Sequence, residues 1–241
     1  GKRIACIGAG PASLTVANDL LPIGHEVVIF EQYRTAGGLM RTNIPAFRLP
    51  ESVLAEEIGY IEQMGAQIRY NSRIDSLRKL LETGGFDAVF VGSGAPKGKE
   101  LKLPGRTEGG ANIHIGINWL ESVAFKHLDK IGEKVLIIGV GNTAMDCCRS
   151  SLRLGAREVK VMARKPRQFF KASAWELEDA EEEHVKIVIN RSPKAFVIEG
   201  GKLKGMNFDV IEYDIDAKGR ITAERITGEE FLEADDVILA I

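Results

Sequence analysis

The chain has 241 residues and a formal net charge of −2. Nucleic-acid-binding surfaces usually carry a strong basic excess, so this charge argues against a nucleic-acid partner. No apolar run approaches the ~20 residues needed to cross a bilayer, so we expect no membrane-spanning segment. Hydrophobic residues make up 44% of the chain, enough to bury the core of one large or two small domains.

The first 31 residues predict a strand, a tight turn, a helix and a second strand. The strands are predicted at residues 3–7 and 26–30, and the helix begins at Pro11 and ends before Gly24. A glycine-rich loop follows at Gly37 and Gly38. We then predict a helix at 52–64, a strand at 67–70, a helix at 74–82 and a strand at 87–91.

The same pattern returns in the second half of the chain. After a linker at 98–110 and a helix at 117–127, we predict a strand at 134–138, a helix at 143–154 and a strand at 158–163. An acidic helix at 174–183 and a strand at 185–189 follow. Residues 195–226 resemble antiparallel hairpins, and 236–241 form a buried strand. The alternation predicts an α/β fold with two Rossmann-like domains, whose parallel sheets carry helices on both faces.

Each repeat contains a glycine-rich turn between its first strand and its helix. In the first, Gly8 permits a tight turn, Gly10 lets a pyrophosphate approach, and Ser13 takes the third, small position. In the second, Gly139 and Gly141 precede Asn142, Thr143 and a small Ala144. One such turn is weak evidence, because tight turns are common. Two turns that each follow a strand and open a helix predict two dinucleotide sites.

Charges at the ends of the second strands separate the two expected ligands. Glu31 can accept hydrogen bonds from a ribose diol and would repel a 2′-phosphate. Arg164 and Lys165, with Arg167 beyond them, suit an adenosine 2′-phosphate, and the nearby sequence offers no competing acid. As alternatives to ligand binding, Glu31 is a solvated charge at a strand end, and Arg164, Lys165 and Arg167 form an ordinary basic loop. We predict FAD or NAD at the first turn and NADP(H) at the second, with NAD(H) possible there.

The cysteines and histidines give no sign of another active centre. Cys6, Cys147 and Cys148 lack disulfide-framework and metal-ligand spacing, which predicts buried thiols, a reducing compartment and a cytoplasmic location. The four histidines are scattered. We therefore predict no metal site and name no catalytic side chain, because hydride transfer between nicotinamide and flavin needs none.

These motifs resemble the flavoprotein family with two dinucleotide-binding domains that includes the glutamate synthase small (beta) subunit and related NAD(P)H-dependent, ferredoxin-linked oxidoreductases. The matching stretches are residues 8–14 (GAGPASL), 31 with 37–40 (GGLM), 44–50 (IPAFRLP), 88–95 (AVFVGSGA), 139–146 (GVGNTAMD) and 164–172 (RKPRQFFKA). The resemblance implies an enzyme that transfers hydride between NAD(P)H and FAD and exchanges electrons with an iron–sulfur or ferredoxin-linked catalytic subunit.

The resemblance also implies site residues and domain limits. The FAD site would comprise Gly8, Gly10, Pro11, Ala12, Ser13, Glu31, Gly38, Leu39, Arg48, Gly94 and Ala95. The NADPH site would comprise Gly139, Gly141, Asn142, Thr143, Arg164 and Lys165. The FAD domain would span 1–106, the inserted NAD(P)H domain 107–228, and residues 229–241 would return to the FAD domain.

The chain departs from the family pattern at three positions. Ser13 and His184 replace glycines, and Lys171 replaces a proline. The family also extends beyond residue 241 and has an N-terminal iron–sulfur region, so we expect this chain to be a piece of a longer protein.

Two other functions stay open at this point. One is a non-catalytic assembly subunit that binds nucleotide for structure. The other, a disulfide reductase of the thioredoxin-reductase type, needs a redox cysteine pair that the sequence lacks. The acidic helix at 174–183 is interpreted as a solvated face, or else as a docking surface for a basic partner.

Overall fold

The computed structural model describes residues 1–241 and divides them into two compact units. The first unit is Gly1–Pro96 and the second is Lys97–Ile241. None of the helices is both long and apolar enough to cross a lipid bilayer.

The first unit contains a parallel four-stranded sheet with helices on both faces. Its strands are β1 (Arg3–Ile7), β2 (Glu26–Phe30), β3 (Gln67–Arg69) and β4 (Ala88–Val91), in the order β3-β2-β1-β4. Its helices are α1 (Pro11–Leu20), α2 (Leu39–Thr42), α3 (Glu51–Gln63) and α4 (Leu77–Thr83).

Alternating side chains of these strands supply two separate cores. Val27 and Ile29 pack with Leu14 of α1 and Leu54 of α3 on one face. Val28 and Phe30 belong to the cluster on the opposite face, which also includes Leu80 of α4. Successive strand residues point to opposite faces, so a strand that is apolar throughout needs cover on both sides. The first unit has that cover.

The second unit contains a parallel five-stranded sheet and an antiparallel three-stranded sheet. The parallel strands are β5 (Ile113–Ile115), β6 (Lys134–Ile138), β7 (Glu158–Met162), β8 (Lys186–Val188) and β12 (Asp236–Leu239), in the order β5-β12-β6-β7-β8. The antiparallel strands are β9 (Arg191–Glu199), β10 (Lys202–Ile215) and β11 (Ile221–Glu233), in the order β11-β10-β9. The helices are α5 (Gly116–Ala124), α6 (Asn142–Arg153) and α7 (Ala174–Glu182).

The antiparallel sheet takes the place of one helical layer in the second unit. Val135 and Ile137 of β6 belong to the core formed with α5, α6 and α7. Leu136 and Ile138, which point the other way, pack instead in a core with Phe208 of β10. The prediction of helices on both faces was therefore wrong for this unit, where an antiparallel sheet covers the second face.

The last strand belongs to the second unit, which corrects the predicted domain limits. Strand β12 pairs in parallel with β5 and β6, with Val237 opposite Ile113 and Leu136. The predicted return of residues 229–241 to the first domain was wrong, because this strand is buried on both faces and becomes an inner strand of the second sheet. The division between the units also falls at Pro96 rather than at residue 106.

Most other predicted elements agree with the structure to within a few residues. Four short elements were missed: helix α2, which directly follows Gly38, strand β5, which follows the predicted linker, and 3₁₀ helices at Gly110–Asn112 and Arg167–Phe169. Each is only three or four residues long. Elements of that length show too little periodicity to be recognised.

Candidate nucleotide-binding sites

The first glycine turn is held between β1 and the end of β4. Gly8 has φ +86°, and a Cβ there would lie 2.8 Å from the Gly92 carbonyl oxygen. Its N–H donates to the Phe30 carbonyl at 2.8 Å. Only glycine combines this backbone conformation with that close approach. The turn therefore depends on Gly8, as the sequence predicts, and the backbone of Gly92, which was not predicted, forms its wall.

A second glycine loop packs against the same turn. Gly38 has φ +51°, and a Cβ there would lie 2.8 Å from the Cα of Gly10. The Gly37 N–H donates to the Ala9 carbonyl at 2.8 Å. Helix α1 starts just after Gly10 and has no side-chain cap. Backbone N–H groups at such a helix start suit a phosphate.

Glu31 is fixed beside this turn by backbone donors. The Ala9 N–H donates to Oε2 at 2.7 Å and the Tyr33 N–H donates to Oε1 at 2.9 Å. The residue is only 4% exposed. A carboxylate has about four acceptor positions, so two further hydrogen bonds, such as those from a ribose diol, remain available. The predicted ribose acceptor is thus held in a defined orientation.

Ser13 fits its position because Gly92 lies opposite it. Ser13 is fully buried, and a Cβ on Gly92 would lie 2.2 Å from Ser13 Oγ. The family pattern has glycine at the third position of the motif. In this chain that position is Ser13, and the absence of a side chain at Gly92 makes room for it. The sequence signal that could have revealed this residue is the Gly-Ser-Gly that ends β4.

The remaining predicted residues of the first site lie in the same unit. Leu39 is the first residue of α2 and is 43% exposed. Arg48 is half-buried in the turn before α3, where its N–H donates to the Pro45 carbonyl at 2.9 Å. Gly94 has φ +67°, and Ala95 is exposed, as are Pro11 and Ala12 at the start of α1. That these residues bind a cofactor stays a prediction.

The second glycine turn is closed by the end of β12. Gly139 has φ +125°, and a Cβ there would lie 2.2 Å from the Ala240 carbonyl oxygen. At Gly141, by contrast, a Cβ would meet nothing within 4 Å. Helix α6 starts immediately after Gly141 and has no side-chain cap. The turn is tight behind Gly139 and open in front of Gly141, which suits an approaching phosphate.

Asn142 connects the second turn to the start of α7. The Ser173 N–H donates to Asn142 Oδ1 at 2.9 Å, and Asn142 Nδ2 lies 3.4 Å from Ser173 Oγ. Thr143, next along α6, is half-buried. Asn142 therefore fixes the chain that leads from Arg164 to α7. Ser173 was not among the predicted residues.

The predicted cations stand at the end of β7 and are exposed. Lys165 Nζ lies 5.8 Å from the centre of the Phe169 ring. Arg167 pairs with Glu181 of α7, with Nη2 and Oε2 2.7 Å apart. The absence of a competing acid was predicted wrongly. Arg164 Nη2 donates to Glu224 Oε1 at 3.0 Å, and Glu224 is 60 residues away on β11.

The acidic helix α7 binds cations of its own unit. Arg149 of α6 donates to Asp179 at 2.8 Å and to Glu183 at 2.9 Å, and Glu183 also accepts from Arg153 at 2.6 Å. Hydrogen bonds from these arginines lower the pKa of Glu183 in spite of its burial. These pairs join α7 to α6, so much of the acidic face serves internal packing rather than a partner.

All three cysteines are free and buried. Burial raises the pKa of Cys6 to about 11 and that of Cys148 to about 12, and it raises the pKa of Cys147 as well. A thiol must ionise to act as a nucleophile, so these cysteines are unreactive near neutral pH. The thioredoxin-reductase-type alternative finds no support in them.

Residues 2–241 match the model of the family described as "Pyridine nucleotide-disulphide oxidoreductase". The chain belongs to this family. Membership confirms the predicted oxidoreductase class, and it supports FAD and NADP(H) as the cofactors. The disulphide in the family description has no counterpart among the buried cysteines of this member.

Proteins similar to this chain include enzyme subunits. The chain is 37% identical over 243 residues to the NADP(+)-dependent formate dehydrogenase subunit beta of Moorella thermoacetica, covering 99% of this chain and 34% of that one. It is 33% identical over 255 residues to the glutamate synthase [NADPH] small chain of Escherichia coli K12, covering 100% of this chain and 54% of that one. These matches confirm the predicted resemblance to glutamate synthase small subunits.

The fold of this family member also occurs in solved structures. Mycobacterium tuberculosis FprA in complex with NADPH has a TM-score of 0.84 at 18% identity, covering 100% of this chain and 70% of that one. The thioredoxin reductase of T. acidophilum has a TM-score of 0.67 at 19% identity, covering 99% of this chain and 77% of that one. The predicted α/β fold class is confirmed by these likenesses. The chain spans about a third of the length of the M. thermoacetica subunit.

Proposed function

We propose that this chain is the FAD- and NADPH-binding part of an oxidoreductase, with FAD on the first unit and NADPH on the second. The observation that carries the proposal is the pair of glycine turns, each tight at its first glycine and each opening an uncapped helix. A dinucleotide needs this combination for its pyrophosphate. The family match supports the same reading.

The residues of the first unit fit FAD. Gly10 and Gly38 keep side chains away from the start of α1, and Glu31 presents a carboxylate held by two backbone N–H groups. The backbone N–H groups at the start of α1 would bind the pyrophosphate, and Glu31 would accept hydrogen bonds from the ribose. Glu31 also disfavours a 2′-phosphate, because its carboxylate would repel it.

The residues of the second unit fit NADPH. The space before Gly141 and the uncapped start of α6 would receive the pyrophosphate. Arg164 and Lys165 would bind the 2′-phosphate, and Asn142 would hold the connecting chain in place through Ser173. With both cofactors bound, the reduced nicotinamide of NADPH would supply a hydride to the oxidised flavin. The protein contributes binding and orientation, so no acid or base is required of it.

We propose that electrons then pass to an iron–sulfur or ferredoxin-linked catalytic subunit. Three cysteines cannot provide the four thiolates of a cluster, and here all three are buried. An iron–sulfur cluster would therefore need thiolates other than these three cysteines. The names of two relatives, subunit beta of a formate dehydrogenase and the small chain of a glutamate synthase, support a catalytic partner. A cytoplasmic location is proposed with it, in line with the free thiols.

The test is reduction of bound flavin by NADPH. The FAD-loaded protein, without oxygen, should lose its visible flavin absorbance when NADPH is added. Retention of the absorbance with both NADPH and NADH would overturn the proposed activity and favour the non-catalytic assembly subunit.

The choice of NADPH over NADH is tested at the end of β7. The double variant Arg164→Ala with Lys165→Ala should reduce the NADPH-over-NADH preference about tenfold or more, since each cation contributes a charge-assisted bond. The measurement is the ratio of kcat/KM for the two nucleotides. An unchanged ratio would show that the 2′-phosphate is recognised elsewhere.

A further inference from the structure

The antiparallel sheet of the second unit reaches the predicted 2′-phosphate position. Tyr213 of β10 donates from its hydroxyl to the Arg164 carbonyl oxygen at 2.9 Å. Glu224 of β11 accepts from Arg164 Nη2 at 3.0 Å through Oε1 and at 3.4 Å through Oε2. This sheet therefore contributes both an anchor for the backbone of Arg164 and a counter-charge for its guanidinium.

Arg164 and Glu224 line one cleft, whose volume is about 380 Å³. Its other charged groups already have partners. Asp209 lies 3.1 Å from Lys194 Nζ, and Arg225 donates to Asp214 at 2.7 and 3.1 Å. Glu224 is thus the carboxylate of this cleft that is engaged with Arg164.

The ion pair is exposed enough to be broken by a ligand. The side chain of Arg164 is 54% exposed and that of Glu224 is 50% exposed. Pairs in such surroundings contribute little to stability, because water and salt screen them. A phosphate monoester carries more negative charge than a carboxylate, so it can displace Glu224 from Arg164.

We propose that Glu224 is a specificity-determining residue that competes with a 2′-phosphate for Arg164. Binding of a 2′-phosphorylated nucleotide must break the Arg164–Glu224 pair and leaves Glu224 close to a like charge. A nucleotide without the 2′-phosphate leaves the pair intact. Glu224 therefore reduces the preference for NADP(H) over NAD(H) that Arg164 and Lys165 create. This inference rests on the proposed function, because it concerns the ligand of that same site.

The test is binding of two fragments, 2′,5′-ADP and 5′-AMP, to the full 241-residue chain by calorimetry. Glu224→Gln keeps the size of the side chain and removes its charge. We expect it to tighten 2′,5′-ADP binding by about 1.5-fold to fivefold, the range for an exposed charge pair, and to leave 5′-AMP unchanged. Added salt should reduce the difference.

A matched control comes from the same strand. Glu229 of β11 pairs with Lys194 instead of Arg164. The substitution Glu229→Gln should leave the affinities for both fragments unchanged. In an Arg164→Ala background, Glu224→Gln should tighten binding less, because the group for which Glu224 competes is gone and only its repulsion of the phosphate remains. Thermal melting of each variant checks that it is folded.

The outcomes separate this inference from the proposed function. If Arg164→Ala weakens 2′,5′-ADP binding but Glu224→Gln changes nothing, the NADPH site stands and Glu224 is an ordinary surface ion pair. If the unsubstituted chain binds both fragments equally and Arg164→Ala has no effect, the NADPH assignment itself fails. A gain by Glu229→Gln equal to that of Glu224→Gln would also overturn the inference, because the effect would then be one of net charge.

Discussion

The two units use the same glycine turn but surround it differently. In the first unit, Gly8 approaches the carbonyl of Gly92 and Gly10 approaches Gly38, so other glycines form the walls. In the second unit, the Ala240 carbonyl stands behind Gly139, and the space before Gly141 is open. The first turn therefore depends on a set of glycines distributed along the unit. The second depends chiefly on the close fit of one glycine to the last strand.

The charged residues beside the two turns also differ, in burial and in the kind of group that holds them. Glu31 is buried and held by two backbone N–H groups, which cannot move without changing the fold. Arg164 is exposed and paired with a side chain, which can exchange that partner for a ligand. The charge beside the glycine turn is therefore fixed in the first unit and adjustable in the second.

The largest effect is expected from Gly139→Ala. The added Cβ would combine a left-handed backbone with a 2.2 Å approach to the Ala240 carbonyl. We expect a loss of about 4 kcal/mol in the free energy of unfolding, the sum of backbone strain and overpacking. Urea denaturation measures it. The control, Gly141→Ala, has open space and should lower stability far less while weakening NADPH binding. Similar losses for both variants would contradict the asymmetry of this turn.

The next effect concerns the fit of Ser13 to Gly92. Gly92→Ala should destabilise the protein by about 2 kcal/mol, because its Cβ meets Ser13 Oγ. With Ser13→Gly present as well, we expect a loss smaller by about 1 kcal/mol. The double-mutant cycle is measured by urea denaturation. Additive losses would mean that Ser13 and Gly92 are not fitted to each other.

Acid stability should distinguish two aspartates at strand starts, one in each unit. Burial raises the pKa of Asp236, but hydrogen bonds from His114, the Gly132 N–H and Asn112 more than offset it, so the pKa is lowered. The pKa of Asp87 is also lowered, chiefly by the Arg3 N–H, but that group is exposed.

A lowered pKa means that ionised Asp236 stabilises the fold above about pH 3.9, its unfolded value, and that this contribution is lost as pH falls through the lower folded value. Asp236→Asn should cost about 1–2 kcal/mol at neutral pH and flatten the acid limb of the stability curve. Asp87→Asn is the control and should change that limb less. Urea midpoints measured from neutral to acid pH decide between them, and equal changes would contradict the greater role of the buried residue.

The smallest effect on stability is expected from a substitution at the C-terminal end of a helix. Two residues after the end of α6, Gly155 lies in the left-handed region at φ +99°, and two residues after the end of α7, His184 lies there at φ +65°. The Val185 N–H donates to the Ala180 carbonyl at 3.0 Å, a helix end that favours glycine. His184→Gly should raise stability by about 0.5–1 kcal/mol. Thermal unfolding measures it, and no gain would mean that the histidine side chain compensates with contacts of its own.

Much of the fold could be predicted because its signals are local. The apolar runs of β1, β2, β6 and β7, and the glycines after β1 and β6, lie within a few residues of the structures they predict. The site residues close to those turns follow from the same signals. Ser173 and Glu224 could not be found this way, since each meets its partner across 31 or more residues.

The sequence by itself determined two β-turn-α units with opposite charges beside their glycine turns, because strand alternation, helix starts and left-handed glycines are properties of neighbouring residues. Only the tertiary structure decided that the last strand belongs to the second sheet and that an antiparallel sheet covers it. It also decided that Glu224 meets Arg164. Buried apolar strands and surface carboxylates are satisfied by many partners, and long-range packing selects one.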